Sequence, residues 1–181
     1  SAASDVYKRQ RLYHSYKKFM FPTFLTEGLK RTGPPTGEYI GDGVNPDVWE
    51  KELRQETTAL SEALEHARAA AEAAPADREP FYLYARPQEK VTCRDYAAMM
   101  ADAIEIVLRF KRTFLHFVEA ERADDDGRVE VWRREKSNLE GLLTVLEARR
   151  RWIQSTYGME MLDTLTAHVK NKVNLLTRHG V

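Results

Sequence analysis

The chain has almost no cysteine, no long apolar run and no excess of either charge. Its one cysteine, Cys93, excludes an internal disulfide and suits a reducing compartment. No apolar stretch approaches the roughly 20 residues that cross a bilayer as a helix, so a soluble chain without a transmembrane segment is expected. Twenty-eight basic residues balance 28 acidic ones over 181 positions. A nucleic-acid binder normally carries a basic excess, so no nucleic-acid partner is expected.

Chemical signatures are scarce too. The histidines, His14, His66, His116, His168 and His179, lie on separate segments. No Glu-x-x-His occurs, which removes the usual di-iron bundle, and HExxH and GxSxG are missing. Around Gly41-Asp42-Gly43 a GxGxxG cradle fails because Pro46 takes the third glycine position. Asp124-Asp125-Asp126-Gly127 invites a calcium reading, but an EF-hand with Gly127 sixth needs acids where Arg122 and Arg133 stand. Cys93 has no identifiable base beside it and reads as structural. The expectation is therefore no catalytic residue, no cofactor and no metal site.

What is present is helical pattern. An apolar fraction of 43% and a charged fraction of 31% suit one globular or helical domain. The richest stretch runs from Thr92 to Ala123. Thr92 is a good N-cap, and Asp95 three residues on makes a capping box with an acid in place of Glu or Gln. Tyr96, Met100, Ala103, Val107, Phe110, Phe114 and Phe117 then form one stripe at alternating four and three, with Ile104, Leu108, Leu115 and Val118 beside it. So wide an apolar surface predicts a central helix with partners on two sides.

Three more helices follow from the same rules. Asn45-Pro46-Asp47 opens one over 46–74, with Trp49, Leu53, Leu60, Leu64, Ala67 and Ala71 as a narrow seam. A second, over about 128–157, carries Trp132, Leu139, Leu142, Leu143, Leu146, Ile153 and Tyr157, and pairs with the central helix as an antiparallel hairpin about 45 Å long at about 1.5 Å per residue. Gly158 marks a break, and the last helix spans Met159 to His179, with Gly180 as its C-cap. Residues 75–91 hold three prolines around Phe81-Tyr82-Leu83-Tyr84 and read as a bound strap, with an edge strand as the alternative. The class expected is all-α: an elongated helical bundle over 46–181, preceded by an extended N-terminal arm and a Gly/Pro-rich loop over 11–45.

The first ten residues, SAASDVYKRQ, resemble the in-frame translation of a transposase adapter used in preparing sequencing libraries, and are expected to be non-native. The native N-terminus, with any targeting peptide, is expected to be missing. Leu12-Tyr13-His14 is similar to the Leu-Tyr-Arg start of the LYR-motif proteins, small three-helix accessory and assembly factors of mitochondria. The likeness spans these three residues, with His for Arg, and Pro22 stops the long first helix that the family has. The fold is therefore not drawn from it.

Charge is unevenly placed: residues 47–79 hold four basic and nine acidic residues, and 128–181 hold ten basic and six acidic. Complementary segments packing on one another account for that. Arg149-Arg150-Arg151 cannot share one helix side and read as solvated or paired. Aromatic density outside the helix stripes is the feature left over. Tyr13, Tyr16, Phe19, Phe21, Phe24, Tyr39, Phe81, Tyr82, Tyr84 and Trp152 are candidates for contact with other proteins. The function expected is a non-catalytic structural or adaptor subunit of a multi-subunit assembly. A mitochondrial, respiratory or ATP-synthase-like complex, peripherally associated with a membrane, is one form of it. The alternative is a small helical-bundle enzyme or metal-binding protein, which would need acids or histidines converging on core positions; the stripes read as aliphatic and aromatic.

Overall fold

A computed structural model describes residues 46–75, 81–83, 86–153 and 156–181. The adapter-like segment and the arm and loop over 11–45 lie outside the described residues. Four helices dominate: α1 (Pro46–Ala73), α2 (Cys93–Arg122), α3 (Asp125–Arg150) and α4 (Thr156–Arg178). Between α1 and α2 the strap supplies two short strands, β1 (Phe81–Leu83) and β2 (Arg86–Val91), paired antiparallel with Phe81 opposite Val91 and Tyr82 opposite Lys90. The fold is the expected all-α bundle.

The helix ends are set by local chemistry. Thr92 accepts a hydrogen bond from the Asp95 N–H at 3.0 Å, and the Asp95 carboxylate accepts from the Thr92 N–H, completing the capping box. Asp124 caps α3 by accepting from the Gly127 N–H at 2.8 Å, so the acidic run is a helix start. Arg128 reaches back from α3 to donate to the carbonyls of Ala120 and Ala123, which the end of α2 leaves unpaired. At the other end Gly180 adopts φ +79°, and the Val181 and Gly180 N–H groups bond the Leu176 and Thr177 carbonyls, a Schellman closure.

α2 is central. Trp49 and Leu53 of α1 share a core with Phe114, Leu115 and Val118, while Leu60, Leu64 and Ala67 pack with Ala101, Ile104 and Leu108. The second apolar stripe of α2 is thus covered by α1. On the opposite side α3 and α4 bring Val131, Trp132, Leu139, Leu142, Leu146, Val169 and Leu176 into the same core as Phe117. Leu142 and Leu176 are fully buried, and each such side chain contributes about 1.5–3 kcal/mol. Cross-contacts such as Arg109–Asn138 and Arg149–Met99 make α2 and α3 the expected antiparallel hairpin.

One boundary is corrected. The expected helix ran unbroken to Tyr157 and broke at Gly158; instead α3 ends at Arg150, the chain turns through Arg151–Ile153, and Gly158 lies inside α4. The reason is Trp152, whose indole is buried beneath the Arg151 guanidinium, 4.7 Å from the ring centroid. Tucking that ring inward breaks the helix without glycine or proline. The ion pairs of α1 are also informative: Glu56 meets Lys111, and Asp47 and Glu50 meet Arg122, so among the described residues the acidic helix is matched by α2.

Candidate functional site

Two features of the folded chain bear on function: a polar group of side chains inside the bundle, and an apolar strip left outside it.

The inner group centres on Glu135 of α3, which has no exposed surface. Its Oε2 lies 2.6 Å from His116 Nδ1, and its Oε1 accepts from Thr113 Oγ1 at 2.8 Å, both from α2. Asn138, one turn along α3, donates to the Arg109 carbonyl at 2.9 Å and to Thr113 Oγ1 at 3.2 Å. From α4 comes Lys172, also buried, whose amine is pushed below its ordinary pKa by burial while the Glu135 charge acts in the opposite sense. Beside it is a cavity of about 10 Å³ lined by Phe110, Thr113, Leu139, Leu165, His168 and Lys172, among others. That is room for one water. To core positions expected to be almost wholly aliphatic and aromatic, the structure adds this polar group.

The pattern did carry a signal. Glu135 sits in the α3 stripe between Trp132 and Leu139, and Lys172 in the α4 stripe between Val169 and Leu176, positions where a charged residue has to be paired. What the arrangement can do chemically is limited by enclosure: the carboxylate is shared by donors on two helices, and no organic substrate fits the adjoining space. Among the described residues no group of three or more His, Cys, Asp or Glu could hold a metal ion. No helix among them is long and apolar enough to cross a membrane.

The outer strip lies on α2. Met100 and Val107, seven residues apart and so on one side of the helix, are both exposed. Their stripe continues into Phe114, which Trp49 covers with ring centroids 6.3 Å apart. Next to Val107 on α2, Lys111 pairs with Glu56 of α1, while Ala59, Ala63 and Ala70 of α1 are exposed. α4 runs parallel to α2, since both pair antiparallel with α3, and it exposes Tyr157 and Met161.

The contact candidates divide as follows. Tyr13, Tyr16, Phe19, Phe21, Phe24, Tyr39 and Tyr84 lie outside the described residues. Phe81 and Tyr82 are placed on β1. Trp152 is turned inward, 8% exposed. Arg149, Arg150 and Arg151 are occupied by the Met99 carbonyl, by Asp163 and Glu147, and by Trp152. Comparison with family models, with curated proteins and with solved structures finds no match.

Proposed function

We propose that this chain is a non-catalytic structural or adaptor subunit that docks other proteins along the open side of α2. The observation that carries this reading is the exposed apolar strip of Met100 and Val107 on α2, with Tyr157 and Met161 also exposed on α4. Large side chains left in water on one side of a helix form the kind of surface that a partner covers. The inner polar group supports the same reading, because Glu135, His116, Thr113 and Asn138 bond one another across α2 and α3 and leave no reactive group open to a substrate.

The test is co-purification. Tagged full-length chain, isolated from the cells it comes from, is expected to bring down a partner in stoichiometric amount. Val107→Glu is expected to lose that partner while keeping wild-type circular dichroism. A monodisperse monomer without a partner, or a partner retained equally by Val107→Glu, goes against the proposal.

A further inference from the structure

The opposite side of α2 carries a charge imbalance. Glu105 is its pivot: Oε2 accepts from Arg68 Nη2 of α1 at 2.6 Å, and Oε1 accepts from Arg109 Nη2 at 2.6 Å and Nε at 2.8 Å. Arg109 is held against α3, donating to the Asn138 carbonyl, and it has space there because position 141 is glycine; a Cβ at Gly141 would come within 2.1 Å of Arg109 Nη1. Between these groups is Arg112, partly buried, whose Nη2 donates to Ser61 Oγ at 3.3 Å. Three guanidiniums therefore share one carboxylate.

Nearby arginines differ. Arg54 has Glu50 and Glu119, Arg134 has Glu119, and Arg122 has Asp47 and Glu50. Among the described residues, no acid lies within ion-pair distance of Arg112, which is partly drawn out of water. Burial and the adjacent Arg109 push its pKa below the ordinary arginine value, with Glu105 opposing them. A partly buried cation that shares one carboxylate with two other guanidiniums is under-compensated, and a second carboxylate would lower that cost.

We propose that Arg112, with Arg109 and Arg68 around Glu105, binds a carboxylate carried by an acidic segment of a partner protein. The planar guanidinium fork suits a carboxylate, and the exposed Arg68 marks the open edge by which one enters. This rests on the adaptor reading and adds to it the chemistry of the partner. It uses a different side of α2 from the Met100–Val107 strip, so the two contacts are separable.

The probe is a synthetic helical peptide rich in Glu, with a Gln-for-Glu counterpart and inorganic phosphate as comparisons, titrated against the full chain by fluorescence anisotropy. The Glu peptide is expected to bind about tenfold or more tighter than the Gln peptide, and Arg112→Gln to weaken it by about tenfold. Arg178→Gln, at an exposed arginine of α4, should leave it within about twofold. Ser61→Asp supplies a carboxylate within the chain beside Arg112; it is expected to raise the melting temperature and abolish peptide binding, and it keeps the test intact should Arg112→Gln fold poorly. Equal effects of the Arg112 and Arg178 substitutions overturn the proposal. Phosphate that displaces the peptide at equal concentration also overturns it, since the site would then take a free anion. Failure here with partner co-purification preserved removes this site and leaves the adaptor reading standing.

Discussion

Glu135 of α3 and His116 of α2 meet at 2.6 Å inside the bundle, with the carboxylate wholly out of solvent. His116 Nδ1 and one carboxylate oxygen share that hydrogen bond, and Thr113 Oγ1 donates to the other oxygen. Removing one partner of a buried pair costs more than the intact pair contributes, because the other is left desolvated without its partner.

Glu135→Leu is therefore expected to destabilise the fold by about 3–5 kcal/mol, because it removes the partner of His116 Nδ1, takes one acceptor each from Thr113 and Asn138, and leaves Lys172 without the Glu135 charge that opposes its burial. Adding Lys172→Met should recover about 1 kcal/mol or more of that loss. Chemical denaturation of the two single variants and the double reads the coupling.

Lys172 also sets a pH dependence. Its folded-state pKa lies below the ordinary 10.5, so between the depressed value and 10.5 the folded chain holds fewer protons than the unfolded chain. Unfolding free energy then rises with pH across that window, and below it the burial penalty is present in full. The difference in denaturant midpoint between wild type and Lys172→Met should shift in favour of wild type on going from about pH 8 to about pH 10. A constant difference contradicts this assignment.

Trp49 holds the first helix to the bundle through Phe114. Trp49→Ala should cost about 3–5 kcal/mol, whereas Val107→Ala, at an uncovered position of the same stripe, should stay within about 0.5 kcal/mol. Thermal melts of the pair measure the contrast.

Gly180 meets nothing within 4 Å of a Cβ, so an alanine there would add no clash. Its φ of +79° still favours glycine, and Gly180→Ala is expected to cost about 1 kcal/mol, visible as faster amide exchange in the last turn of α4.

Much of this architecture is legible in the residues. The Thr92 capping box, the Asp124 cap, the two stripes of α2 and the Gly180 closure each follow from a local rule that the tertiary fold does not override. The end of α3 was not legible, because a buried indole and not a glycine or proline makes the turn, and Arg149-Arg150-Arg151 continues a helical pattern without a stop signal. Gly141 is similar: in sequence it is a helix-weakening residue, and only the Arg109 guanidinium lying against it explains it. Glu135 and Lys172 stood in plain view within apolar stripes, but which donors would face Glu135 depends on the register between helices, which periodicity does not fix.

The most direct measurement is site-specific photo-crosslinking from α2. A benzophenone side chain is placed at Val107, and in a second protein at Thr144, an exposed position on α3. Illumination in cells should give one discrete adduct with a foreign polypeptide from position 107 and none from position 144. Adducts from both positions alike, or from neither, would contradict a docking role for the open side of α2.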